Sequence, residues 1–270
     1  MSPWASAMSN VELVDEYAVF CAGVQQICKV DLAQYKRRQM ERRVRSFAER
    51  NGTPRLSRYL AVLAADERER ERFLERVTIN VSQLWRNPEQ WEMLAGHVIP
   101  ELAQRDRIRA WSAGCSYGAE AYTLAAICLD VAPDITLEIL GSDIDERMIE
   151  SAREAHFSES DARSAPAGTL ARWFEPAPNG WRAGSQLRNA ARFEVGDLLV
   201  VEPPQRAYDF IACRNTVIYF TAEGRSAVHA KLADALRPGG YLMVGCTERI
   251  ADPDDHGLTL ALPFIYRKSS

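Results

Sequence analysis

The sequence predicts an α/β fold with a mostly parallel sheet, preceded by a small all-helical domain. Three observations carry that expectation. From about residue 107, short apolar runs alternate with helix-length segments. Over the first 80 residues, apolar positions instead recur at three- and four-residue steps. Finally, RAWSAGCSYGAEAYTLA at 109–125 runs from a strand-like segment through Gly114 and Gly118 into an Ala-rich helix-like segment, the form of a ligand-binding turn.

The elements follow in order. Helical spacing marks VELVDEYAVFCAGVQQI and the stretch from Leu32 to Phe47, which places the helical domain and its linker at residues 1–86. RNGTP at 50–54 stops a helix, with Asn51-Gly52 and Pro54 as punctuation. Asn87-Pro88 opens the α/β domain, residues 87–270, with Asn as helix cap and Pro in the first turn. Strands are expected at IRAWSA, TLEILGSDI, ARFEV, YDFIAC and YLMVGC. Residues 157–190, rich in Ser, Ala, Pro, Gly and Arg, interrupt the alternation and read as an insertion with a hairpin around Asn179-Gly180.

Composition excludes several classes. With 270 residues, 47% of them hydrophobic, the chain can fill a sizeable core. No run approaches the ~18 apolar residues of a membrane span. The start MSPWASAMSNVELVDEY lacks a basic segment followed by an apolar one, so a cytoplasmic protein with no membrane insertion is expected. The six cysteines form no C-x-x-C pair and no histidine lies at ligand spacing, so no metal site is expected. A formal charge of −4 argues against a general nucleic-acid binder, but the charge is uneven. Residues 1–80 carry 14 Lys/Arg against 11 Asp/Glu, whereas the remainder carries 19 against 26, so the front of the chain suits an acidic partner.

The turn's own chemistry narrows the ligand. Gly114 to Gly118 is G-x-x-x-G, not the G-x-G-x-x-G of a pyrophosphate cradle. Glu120, at the start of the following helix, would repel phosphates but suits hydroxyls or a cation. The next strand ends in GSDID, placing Asp143 where an α/β nucleotide site keeps its ribose-binding carboxylate. A phosphate-free, positively charged adenosine ligand fits this set, and S-adenosylmethionine is the common one. A strand–Gly–helix turn taken alone is equally an ordinary packing feature.

The segments TINVSQLWRNPEQWEML, WSAGCSYGAEAYTLA, GSDID, RFEVGDLL, YDFIACRNTVIYF and LRPGGYLMVGCTE extend the pattern over nearly the whole chain. In order and spacing they resemble the chemoreceptor glutamate O-methyltransferases of the CheR family, most specifically at CRNTVIYF. The resemblance implies a class I, Rossmann-like methyltransferase fold using S-adenosylmethionine, a helical N-terminal domain that docks on the receptor, and a short β-subdomain at about 157–190. It implies cofactor contacts from Asn80, Ser82, Arg86, Gly114, Glu120, Asp143, Asp197, Leu198, Cys213 and Arg214, with Arg86 and Tyr219 nearest the transferred methyl. Departures are Ser82 for Thr, Ala119 for a first glutamate, Ala121 for Pro, Asp197 for Asn and Thr216 for Val.

The chemistry agrees with an ionised acceptor. A free glutamate has a pKa of about 4.3, so no strong base is needed, and His97, His156, His229 and His256 lie outside the motifs. Arg86 can hold a carboxylate by paired hydrogen bonds; read alone it is equally a solvent-facing arginine beside a helix start, and Tyr219 a core aromatic. In YKRRQMERRVRSFAER, Arg38, Arg42, Arg43 and Arg45 are candidates for docking on the acidic helical bundle of a receptor, the ordinary alternative being a solvated face. The hairpin of the insertion is shorter than the tether-binding pattern, which points to a member acting without a C-terminal pentapeptide tether. Oligomeric state is not legible. A nicotinamide dehydrogenase lacks its glycine spacing and catalytic set here, and EPPQ at 202–205 is not the amino-methylating motif of nucleic-acid methyltransferases. The alternative from a different class is a non-catalytic S-adenosylmethionine-binding adaptor in a receptor array.

Overall fold

A computed structural model describes residues 15–77 and 82–269. The chain divides into two compact units at Val77/Thr78, ahead of the boundary expected at residue 86. The reason is local: the Leu84 N–H donates to the Asp161 carbonyl at 3.0 Å and the Trp85 N–H to Thr123 Oγ1 at 3.1 Å, which ties this stretch to the α/β unit.

The first unit contains α1 (Glu16–Cys28), α2 (Arg37–Arg50), α3 (Leu56–Ala65) and α4 (Glu67–Val77). Asp15 caps α1 by accepting from the Tyr17 and Ala18 N–H groups. Phe20, Tyr59 and Phe73 form the centre, with ring centroids 5.9 to 6.1 Å apart. The stop at RNGTP is present, with Gly52 in the left-handed region at φ 67°.

The second unit opens with α5 (Pro88–Met93), which continues through a π-helical stretch into α6 (Ile99–Leu102). There follow β1 (Arg107–Ala113), α7 (Ala119–Val131), β2 (Thr136–Asp143) and α8 (Glu146–Glu154). The insertion contributes β3 (His156–Ser158), α9 (Glu159–Ala162), α10 (Ala167–Trp173), β4 (Phe174–Ala177), β5 (Gly180–Ala183) and α11 (Ser185–Ala190). The chain returns through β6 (Ala191–Val195), β7 (Tyr208–Cys213), α12 (Ala222–Ala235), β8 (Leu236–Val244), β9 (Leu258–Leu262) and β10 (Ile265–Lys268).

Seven strands form one sheet in the order β6-β2-β1-β7-β8-β10-β9. The first five are parallel to their neighbours, and β10 runs antiparallel to both β8 and β9. This is the class I methyltransferase fold. Every residue of β7 is buried, as expected of a central parallel strand covered by helices on both faces. The strand order reverses between β1 and β7, and the crevice at the carboxyl ends of those strands is where open α/β sheets bind ligands.

β8 spans Leu236–Val244, but its pairing with β7 jumps from Leu236 to Tyr241, so Pro238-Gly239-Gly240 bulge out between the two registers. The hairpin expected around Asn179-Gly180 is present between β4 and β5; its tight turn is Pro178-Asn179, and Gly180 already pairs with Ala177. The insertion itself is a separate three-stranded antiparallel sheet, β3-β5-β4.

Candidate active site

The turn after β1 is built by backbone. The Gly114 and Cys115 N–H groups both donate to the Ser142 carbonyl, at 2.8 and 2.9 Å, fastening the ends of β1 and β2 together. Gly114 adopts φ 79°, and a Cβ there would come within 2.4 Å of Thr216 Oγ1, so only glycine lets the turn approach the loop after β7. Gly118, at φ 86°, opens α7. Ser116 donates its N–H to Asp143 Oδ2 at 2.8 Å, and the Asp145 N–H donates to Oδ1 at 3.0 Å. Burial holds the Asp143 carboxyl above its ordinary range while those N–H groups pull it down.

Arg214, directly after β7, is the hub. Its side chain is 2% exposed and faces Glu120, 10% exposed, at 3.3 Å. Its Nε and Nη2 donate to Gln90 Oε1 at 3.0 and 2.8 Å, and Nη2 also reaches the Arg86 carbonyl at 2.6 Å and Asn87 Oδ1 at 3.2 Å. Its guanidinium lies 4.9 Å from the ring centroid of Trp91. Glu120 takes a second bond from the Ser112 hydroxyl at 2.8 Å. Burial raises the Glu120 carboxyl, opposed by Arg214. Burial likewise pushes the Cys115 and Cys213 sulfurs well up, so both remain thiols and neither acts as a nucleophile.

This hub grips a strained loop. Trp85 and Asn87, on either side of Arg86, are both left-handed, at φ 53° and 58°. Non-glycine residues there cost on the order of 1–3 kcal/mol each and persist only where the surroundings over-determine them. The buried Trp85 ring meets Phe174 at 6.2 Å, and Trp91 Nε1 donates to the Arg86 carbonyl at 3.0 Å. Asn87 stands at the N-cap position of α5 but makes no capping hydrogen bond; its side chain serves Arg214, which corrects the expectation that it caps the helix.

The sequence-derived residues gather at one end of the sheet. Gly114, Asp143, Cys213 and Arg214 sit at the carboxyl ends of β1, β2 and β7, and Glu120 in the first turn of α7. Asp197 and the buried Leu198 follow β6, where Asp197 Oδ1 accepts the Leu199 N–H at 2.8 Å. Ser82 and Arg86 lie before α5, and the Arg86 charge acts on both Glu120 and Arg214. Tyr219 is half-buried on a short 3-10 turn, Val217–Tyr219. Asn80 lies outside the described residues. Sequence reasoning missed Gln90, because its partner Arg214 lies far along the chain. It also missed Glu248, present in the GCTE motif. Its Oε2 accepts the Asn215 and Gly245 N–H groups at 2.9 and 2.5 Å, latching the loops after β7 and β8.

The residues fit an adenosyl sulfonium. Carboxylates and not a phosphate cradle line the crevice. The buried Ser116 Oγ, Asn215 Oδ1 and Glu248 Oε1 have no hydrogen-bond partner among the described residues, and all three sit beside the strand ends where a ligand would supply one.

On the first unit, the four docking candidates separate. Arg38 and Arg42 are exposed and share a face of α2. Arg43 donates to the Val77 carbonyl at 2.9 Å, closing the end of α4, and Arg45 pairs with Glu41 at 2.8 Å and Glu16 at 3.3 Å.

Comparison with known proteins decides the family. The all-alpha domain of CheR methyltransferases matches residues 15–78, and their SAM-binding domain matches residues 80–261. The chain belongs to the CheR methyltransferase family. A chemotaxis protein methyltransferase of Listeria innocua is 33% identical over 268 residues, covering 96% of this chain and 99% of that protein. The Listeria monocytogenes chemotaxis protein methyltransferase is 32% identical, with the same coverage. Chemotaxis protein methyltransferase Cher2 of Pseudomonas putida is 27% identical over 90% of this chain and 92% of its own length. S-adenosylmethionine is the cofactor of this CheR domain, and relatives named as methyltransferases do not favour a non-catalytic adaptor. No helix among the described residues is long and apolar enough to cross a membrane.

Proposed function

We propose that this CheR-family enzyme transfers the methyl group of S-adenosylmethionine to glutamate side chains on the cytoplasmic helical bundle of chemoreceptors, without a pentapeptide tether. The observation that carries the reading is the strained Arg86 loop, locked by buried Arg214 at the carboxyl ends of β1 and β7. When bound, the cofactor supplies an electrophilic methyl on a sulfonium. Gly114, Asp143, Asp197, Leu198 and Cys213 hold its adenosyl part, with Asn80 and Ser82 completing the cofactor side. Glu120 and Arg214 act there through the rigid pair they form.

The acceptor carboxylate is already ionised at neutral pH, so the protein's task is to orient it and strip its water. Arg86, with its guanidinium fork, and Tyr219 do so beside the methyl. On the first unit, exposed Arg38 and Arg42 make the docking contact with the acidic bundle, while Arg43 and Arg45 shape α2 from behind.

The test incubates radiolabelled cofactor with receptor cytoplasmic fragments and scores base-labile methanol release. Arg86→Ala lowers release by at least about tenfold at an unchanged thermal midpoint. Arg42→Glu raises KM for the receptor fragment and leaves that for the cofactor alone. Wild-type protein that binds cofactor yet labels no receptor fragment overturns the proposal.

A further inference from the structure

The insertion reaches back to the Arg86 loop, and Asp161 of α9 is the connecting residue. Its carbonyl accepts the Leu84 N–H at 3.0 Å. Its Oδ1 lies 2.9 Å from the hydroxyl of Tyr117, the residue before Gly118 in the cofactor turn, whose single hydrogen is shared between that oxygen and the Ser82 carbonyl. Its Oδ2 accepts the Ser158 N–H at 2.9 Å and the Ser158 hydroxyl at 2.7 Å, which fixes the carboxylate's direction. Gln83 and Ser164 add a side-chain bond at 3.3 Å. The Tyr117 ring lies 6.2 Å from that of Phe157 in β3, which is fully buried. Burial and the Asp161 charge raise the Tyr117 phenol, so it remains a donor throughout the physiological range.

The arrangement has a mechanical meaning. Residues 82–87 include two left-handed non-glycine positions, and such a stretch does not hold its shape unaided. Arg214 and Trp91 hold the Arg86 carbonyl on the downstream side. Asp161 and Tyr117 hold Ser82 and Leu84 on the upstream side, and one of them comes from the cofactor turn itself. We propose that Asp161 and Tyr117 are positioning residues, through which the insertion fixes the Ser82–Arg86 segment before cofactor arrives and independently of any peptide on the subdomain. The inference rests on reading that segment as part of the cofactor and methyl-transfer site.

Tyr117→Phe removes the shared hydroxyl and keeps the ring. Asp161→Asn keeps an acceptor for Tyr117 but turns an amide donor onto the Ser158 N–H. Two measurements are made on the whole protein: hydrogen exchange of amides 82–86 without ligand, and calorimetric binding of S-adenosylhomocysteine. Exchange speeds up in both variants, and the product dissociation constant rises about tenfold. KM for cofactor rises while KM for the receptor fragment holds. The double variant is no worse than the weaker single one, because the two residues act as one unit. Unchanged exchange in both variants, or wild-type product affinity in both, overturns the inference. Should the wild type itself fail to bind product, the functional proposal falls and the exchange measurement still decides the positioning role.

Discussion

Strand β7 begins at one buried charge and ends at another, and the two ends are built differently. At its start, Asp209 is fully buried and saturated: one oxygen meets Arg105 and Arg237, and the other accepts the Arg109 N–H at 2.8 Å. Those arginines are about a third exposed, so the charge is shared with solvent. At the far end both members of the Arg214–Glu120 pair are buried, the adjoining loop is strained, and neighbouring polar atoms lack partners among the described residues. Fold maintenance calls for complete pairing; a ligand site keeps unmet hydrogen-bonding capacity. The contrast sets the carboxyl end apart without reference to any motif.

The strongest way to break that contrast is Arg214→Leu. Removing the guanidinium leaves Glu120 buried with the Ser112 hydroxyl as its one hydrogen bond among the described residues and releases Gln90, Asn87 and the Arg86 carbonyl together. We expect a loss of roughly 3–5 kcal/mol in denaturant unfolding. Product binding by the remaining folded protein falls by more than about tenfold. Full product affinity in this variant would make the two ends of β7 equivalent.

Asp209→Asn is the matched control. It removes a charge from the saturated end and costs about 1–3 kcal/mol, moderated because Arg105 and Arg237 return to water. Calorimetry with S-adenosylhomocysteine gives an affinity within about twofold of wild type. A large loss of affinity would mean that the amino end also shapes the site.

The contrast also shows what the sequence could reveal. Gly114 and Asp143 stood out from the strand–Gly–helix turn and from the end of the strand that follows it, whereas Asp197 and Cys213 entered only through the resemblance to the family. The five parallel strands were legible from apolar runs, and the insertion from its composition. Long-range side-chain pairing was not. Nothing local to Arg214 announces that its guanidinium, and not merely its backbone, binds Gln90 124 positions earlier in the chain. Nothing local to Asn87 says that its side chain turns from the cap toward that same arginine. The pairing of β10 between β8 and β9 went unread for the same reason, since alternation in LTLAL and IYRK is too short to specify partners.

The finest discrimination comes from Glu248→Gln, whose effect should be small and opposite in sign to that of Asp209→Asn. Glu248 Oε2 accepts two backbone N–H groups, and a glutamine carbonyl can replace it. Oε1 has no partner among the described residues, so the exchange breaks no hydrogen bond there. Burial raises the Glu248 carboxyl above its ordinary value, outweighing the two N–H groups that pull it down. The folded state therefore keeps this proton to a higher pH than the unfolded chain does. Its stabilising contribution is complete in acid, below the unfolded value, and is lost as pH rises through the folded one. Glutamine has no proton to lose. Urea unfolding at about pH 4 and about pH 8 should thus show the wild type declining relative to the variant, by up to about 1 kcal/mol. A wild type that instead gains on the variant as pH rises would mean that the carboxylate is favourably held, and that this end of the sheet is as fully paired as the other.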